Sequence, residues 1–151
     1  MDRWTSHTLE IPMEDGKPDF VRADLVFRGV EHLRESFEAR VFVNQDDADE
    51  NTPTDDEHGY AGYFVVFGHG GCAGDEGHCD VPDLEAQRDP EDLRLAHPLT
   101  PQTKLVVATE ALQRLEEPTF TVTVIPVQPG ESAPRREDVL QFEEMQLRTY
   151  E

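Results

Sequence analysis

Apolar and polar residues alternate in two segments of the chain, with the period of a half-buried β-strand. In residues 36–44, SFEARVFVN, the apolar positions Phe37, Ala39 and Val41 fall on one face and charged side chains fall on the other. In residues 119–126, TFTVTVIP, apolar residues alternate with threonines, and both types suit a pleated surface. We therefore predict a strand in each segment, with one buried face.

Two shorter segments are almost continuously apolar. These are residues 61–67, AGYFVVF, and residues 104–108, KLVVA. Such runs favour strands covered on both faces, so we expect both to be central strands. Weaker patterns predict further strands at 8–11, 23–27 and 139–150, the last with a β-bulge near 143–144.

One short helix is predicted after the KLVVA run. Thr109 is suited to be its N-cap, Glu110 favours its first turn, and Pro118 ends it. Ala111 and Leu112 would then face the interior. Six to eight strands with a single short helix predict an all-β fold, a two-layer antiparallel β-sandwich, in one domain spanning residues 1–151.

Two segments lack periodicity and are predicted to be loops. In residues 45–58, QDDADENTPTDDEH, seven of the fourteen residues are Asp or Glu, which is typical of a solvated loop. Residues 69–102 are rich in glycine, proline and charge. A loop of this length inside one domain is usually functional or disordered, so this long loop with Gly, Cys and His is where we look for chemistry.

Charge excludes some partners. The formal net charge is -20, from 33 acidic and 13 basic residues, and this field repels nucleic acids and anionic membranes. The first twenty residues contain no apolar run typical of a signal peptide, and no segment is long enough to span a membrane. We therefore expect a cytoplasmic protein with reduced cysteines, unless a natural signal has been removed.

Three segments in order resemble the C-terminal β-sandwich of tyrosinases, polyphenol oxidases and haemocyanins. They are FEARVFVN before the acidic loop, GYAGYFVVFGH, and LVVATEALQRLEEPTFTVTVIPV, and the resemblance covers residues 23–127. It implies association with a tyrosinase-like dicopper protein. In that family the sandwich covers the active-site entrance with a bulky side chain, which here would be Phe67, His69 or a residue of the following loop. Alternatively, Phe67 is a core residue.

The sequence lacks the histidine pattern that forms the catalytic centre of that family. A type-3 copper centre takes six histidines from a helical bundle, typically as His-x-x-x-His pairs. No pair in this chain has that spacing, so we do not expect phenol oxidation by the chain alone. The histidines of the chain are His7, His32, His58, His69, His78 and His97.

The segment FGHGGCAGDEGHCD, residues 67–80, could carry chemistry of its own. It places His69, Cys72, His78 and Cys79 within eleven residues, among five glycines. Two imidazoles and two thiolates suit copper as Cu(I), or zinc as the alternative. Two other interpretations stay open: a disulfide between the cysteines, which are separated by six residues, or a loop with inert thiols.

These observations leave three functions. The first is an accessory domain linked to type-3 copper chemistry, which shields a partner oxidase or presents copper through the His/Cys loop. The second is a small copper- or zinc-dependent enzyme that uses the same loop. The third is a structural β-sandwich module with a Cys72–Cys79 disulfide.

The metal prediction can be tested directly. We expect the reduced protein, titrated with Cu(I) under anaerobic conditions, to bind copper through the two thiolates. The Cys72→Ser, Cys79→Ser double variant should lose that affinity, measured by competition with a chelator. Equal affinity in the parent protein and the double variant would remove the site.

Overall fold

A computed structural model of the chain describes residues 3–70, 74–81, 89, 91–95, 97–130, 136 and 138–151. This part consists mainly of strands, with one α-helix, α1 (Thr109–Gln113), and a 3-10 helix at Asp56–His58. The strands are β1 (Trp4–Thr5), β2 (Leu9–Glu10), β3 (Met13–Glu14), β4 (Lys17–Pro18), β5 (Arg22–Val30), β6 (Phe37–Val43), β7 (Tyr60–Val66), β8 (Gln102–Val107), β9 (Thr119–Phe120), β10 (Val122–Val127) and β11 (Glu144–Tyr150).

Two antiparallel sheets form the layers of the fold. One has four strands in the order β1-β10-β6-β7, and the other has three in the order β11-β5-β8. Two short ribbons, β2-β9 and β3-β4, lie beside them. The predicted all-β sandwich with one short helix is therefore confirmed.

The core lies between the two sheets, with aromatic rings at its centre. Phe27 of β5 is fully buried. Its ring centroid lies 4.9 Å from that of Phe64 in β7 and 5.3 Å from that of Phe142, which precedes β11. These contacts link the three-stranded sheet to the four-stranded one, and tilted or edge-on rings add to the energy of burial.

The two alternating segments form strands as predicted, but each is buried on more than one face, since Phe42 and Thr123 are also fully buried. In β6 the residues Phe37, Ala39 and Val41 are buried in this core. The second segment divides at Thr121 into β9 and β10, which join different sheets. At the break, Thr121 and Asn44 exchange hydrogen bonds of 3.0 Å: the Thr121 amide donates to Asn44 Oδ1, and the Asn44 amide donates to the Thr121 carbonyl.

The prediction that the two apolar runs are central strands is wrong. β7 and β8 are each the last strand of their sheet. Their outer faces are uncovered, since Tyr63 is 55% exposed and Val107 is 52% exposed. A continuous apolar run does not distinguish a strand buried on both faces from an edge strand whose outer face is also apolar.

The predicted N-cap is also displaced by one residue. Ala108 occupies the cap position, and Thr109 is the first residue of α1. The Thr109 hydroxyl instead accepts a hydrogen bond of 3.0 Å from the amide of Ala23, at the start of β5. This bond joins the helix to the three-stranded sheet.

The bulge expected near 143–144 lies on the neighbouring strand instead. The register between β5 and β8 shifts between Phe27 and Val30. Gly29 within this shift has a φ of +66°, and a Cβ there would lie 2.4 Å from Glu143 Cγ. Glycine is therefore required where the chain before β11 crosses β5.

Within the described part of the chain, no helix is both long enough and apolar enough to cross a membrane.

Candidate functional site

The candidate site is at the end of β7, where the strand leaves the sheet. Phe64 and Val66 point into the core, with 5% and 0% exposure. Phe67 is the next residue and is 78% exposed, because side chains alternate between the two faces of a strand. The alternative that Phe67 belongs to the core is therefore wrong.

Three consecutive backbone amides fix the chain directly after Phe67. The Gly68 amide donates to the Ser36 hydroxyl at 2.9 Å. The His69 amide donates to the carbonyl of His32 at 3.1 Å, and the Gly70 amide donates to the carbonyl of Arg34 at 2.9 Å. Residues 68–70 are thereby held against the connection between β5 and β6, and the position of Phe67 is fixed by this backbone.

The identity of Gly68 follows from this contact. A Cβ at this position would lie 2.0 Å from the carbonyl oxygen of Arg34 and 2.4 Å from the carbonyl carbon of Glu35. Both atoms belong to the backbone and cannot rotate away. Only glycine permits the approach that the three amide hydrogen bonds require.

The connection that receives these bonds is itself held by ion pairs. Arg34 pairs with Asp138, and Glu35 Oε1 lies 2.9 Å from Arg136 Nε. The partners come from the segment just before β11. Three parts of the chain that are distant in sequence therefore meet at the base of Phe67.

A pair of histidines, His32 and His69, lies at this junction. His32 is only 3% exposed, and its Nε2 lies 2.9 Å from the carbonyl oxygen of Thr100. His69 Nδ1 lies 3.1 Å from the carbonyl oxygen of His32, and the two ring centroids are 5.0 Å apart. Because a carbonyl oxygen can only accept, the His32 Nε2 and His69 Nδ1 atoms are the donors in these two hydrogen bonds.

The structure places three of the four predicted metal ligands. His69 belongs to the histidine pair, and His78 lies in an exposed turn. Cys79 is half-buried and disulfide-bonded, so it must be reduced before it can bind a metal as a thiolate. Cys72 lies outside the described residues. The four-ligand site therefore stays a prediction.

The described residues do not fit a dicopper centre. No three of the His, Cys, Asp and Glu side chains in this part of the chain are arranged to hold a metal ion. His32 and His69 use one nitrogen each on backbone carbonyls.

A second feature is an open cleft between β7, β8 and α1. Its volume is about 560 Å³, and one wall is formed by Tyr60, Ala61 and Gly62. The other side is formed by Val107 and residues 109–114, excluding Leu112. Burial raises the pKa of the Tyr60 phenol, and the nearby negative charge of Glu38 raises it further.

Sequence reasoning found Phe67 and His69 but missed the groups that fix them. His32 has no motif around it, and its carbonyl contact with His69 joins residues 37 positions apart. The cleft was missed because it depends on two edge strands being neighbours in space. The glycine content of residues 67–80 was the available signal for a close backbone approach.

No protein-family model matches the sequence, and no curated protein matches it.

Solved structures of latent aurone synthase, a polyphenol oxidase, do match the fold. The recombinantly expressed enzyme aligns with 99% of this chain at 18% identity and a TM-score of 0.55. The enzyme from its natural source aligns over the same share at 18% identity and a TM-score of 0.53. The chain spans 24% of the length of each. The predicted resemblance is thus confirmed for the fold.

The role of Gly68 can be tested by substitution. Gly68→Ala should lower the free energy of unfolding by about 2 kcal/mol or more, because the backbone must separate to admit the methyl group. Hydrogen exchange at the amides of residues 68–70 should accelerate. The measurements are urea unfolding and exchange detected by NMR.

Gly70→Ala is the matched control. Gly70 has a φ of +65°, and nothing lies within 4 Å of the position that a methyl group would take there, so only the conformational cost of about 1 kcal/mol is expected. Equal losses in the two variants would contradict the close-approach explanation.

Proposed function

We propose that this chain is an accessory domain that covers the active-site entrance of a tyrosinase-like dicopper protein, with Phe67 as the covering side chain. The observation that carries the proposal is an aromatic residue that is 78% exposed on a backbone fixed by three hydrogen bonds. The fold match to a quarter-length part of a latent polyphenol oxidase supports the class of partner.

The energetics favour burial of Phe67 in a complex. Removing a phenylalanine side chain from water contributes about 1.5–3 kcal/mol. Fixing the chain at Gly68–Gly70 before binding lowers the entropy lost on docking. A rigid, exposed aromatic side chain has the character of an anchor residue at a protein interface.

Tyr63 extends this surface along the same strand. It lies four residues before Phe67, so both side chains are on the outer face of β7, and Tyr63 is 55% exposed. Tyr63 on β7 and Phe67 directly after it are therefore two exposed aromatic residues on one side of the chain. We therefore assign the outer face near the end of β7 to the partner.

The structural module is a second candidate, favoured by one observation. Cys79 is disulfide-bonded within a glycine-rich segment, and a disulfide in a loop stabilises mainly by restricting the unfolded chain. Under this alternative the purified protein holds no metal, its disulfide contributes to stability, and it has no effect on any oxidase.

The shielding proposal is tested by inhibition. The chain is added to the helical dicopper domain of a polyphenol oxidase, and the rate of phenol oxidation is measured against chain concentration. We expect inhibition that falls as phenol concentration rises. Phe67→Ala should weaken inhibition by about 10- to 100-fold, which corresponds to the loss of one buried aromatic side chain.

Val21→Ala is the control, because Val21 is 70% exposed but lies outside this surface. It should inhibit as the parent chain does. Absence of inhibition by the parent chain, or equal inhibition by Phe67→Ala, would contradict the proposal.

A further inference from the structure

β7 has one unpaired edge. The strand pairs with β6 on one side and is the last strand of its sheet. Among the described residues, no strand bonds to its other side. β8 is likewise the last strand of the other sheet, and the two lie side by side where Gly62 approaches Val106.

The sequence of this edge lacks charged and proline protection, and the protecting irregularity on β7 is the register shift at Ala61. Proteins commonly block an edge strand with a lysine, a proline or an inward charge, because its free N–H and C=O groups can pair with another chain. Residues 60–67, YAGYFVVF, contain no charged residue and no proline. The strand is seven residues long, which is enough for an added strand to pair with it.

The cleft lies along the first half of this edge. Its wall at Ala61 and Gly62 has almost no side chain, so the backbone of β7 is accessible there. A Cβ on Gly62 would lie 2.9 Å from Val106 Cγ1, and its φ of +130° also disfavours a side chain. The volume of about 560 Å³ is in the range of ligand-binding sites, and α1 forms the opposite wall.

The charges around the cleft select the occupant. Arg114 is neutralised by Asp56 at 2.9 Å, whereas Glu110 on the same rim has no ion-pair partner among the described residues. The loop of residues 45–58, which leads into β7, contains seven acidic residues. A second copy of this chain would bring a further formal charge of -20 to the contact and would be repelled.

We propose that the free edge of β7, with the adjacent cleft, binds an extended basic segment of a partner protein as an added strand. Main-chain hydrogen bonds to β7 supply the affinity, and basic side chains interact with Glu110 and the acidic loop. The inference does not depend on Phe67 or on a dicopper partner, since the cleft lies at the other end of the strand.

The probe is a six-residue peptide of alternating valine and lysine, added to the full chain. Calorimetry should detect binding, and alternate amides of β7 should become protected from hydrogen exchange. Two peptides of the same sequence, N-methylated at odd or at even positions, separate strand pairing from charge attraction. At least one of the two should bind weaker than the unmethylated peptide by about tenfold or more, because it has lost the main-chain donors that face β7.

Variants of the chain test the charge selection. Glu110→Gln should weaken peptide binding by about two- to fivefold at low salt, the effect of one exposed ion pair. Glu117→Gln, an exposed residue outside the cleft lining, is the matched control and should bind as the parent does. A peptide with glutamate in place of lysine should bind at least tenfold more weakly.

Three results would overturn the inference. They are absence of binding at millimolar peptide, equal binding by the parent peptide and both N-methylated peptides, and a homodimer in sedimentation whose formation protects the β7 amides. The last result would assign the edge to a second copy of the chain.

Discussion

The packing of Phe27 between the two sheets is the contact on which the other features depend. Its ring meets Phe64 of the four-stranded sheet and Phe142 beside the three-stranded one. This layer sets the distance between the sheets and makes β7 and β8 neighbouring edges. The cleft near the start of β7 lies where these two edges are neighbours.

The chain is strongly acidic, whereas the strand β7 and the residue after it are uncharged. The chain has a formal charge of -20, yet β7 and the residue after it are uncharged over residues 60–67. An acidic surface disfavours non-specific association with other acidic proteins. An apolar edge strand within such a surface directs association to one place. The two ends of β7 then serve different contacts, an aromatic side chain at one end and a free backbone edge at the other.

The sequence predicted strands correctly where the alternation of apolar and polar residues matches the alternation of buried and exposed side chains. Residues 37–41 alternate and form the first part of β6, the predicted strands with one short helix were sufficient to predict a sandwich, and three segments in order carried the resemblance. Position within the sheet could not be predicted, because the run AGYFVVF has the same pattern in a central strand and in an apolar edge strand. Thr109 has the residue type of a cap, but its hydroxyl accepts from Ala23, 86 positions away.

The candidate site was predicted in part for the same reason. The resemblance implied a role for Phe67 and His69 at the end of a strand, whereas the contacts of His32 and the close approach of Gly68 to Arg34 depend on the fold. The metal-ligand prediction came from residue type and spacing together with the resemblance to copper proteins, and Cys79 is disulfide-bonded in the structure. Residue type therefore identified the segment, but the tertiary contacts determine which of its side chains are exposed.

The most direct test of the shielding account is photo-crosslinking from position 67. A photoreactive phenylalanine is placed at 67 in one sample and at 21 in another, and each is irradiated with the dicopper domain. The account predicts crosslinks from 67 to residues that surround the substrate entrance of the partner, and none of these from 21. Crosslinks from 67 to surfaces remote from that entrance, or identical products from both positions, would contradict it.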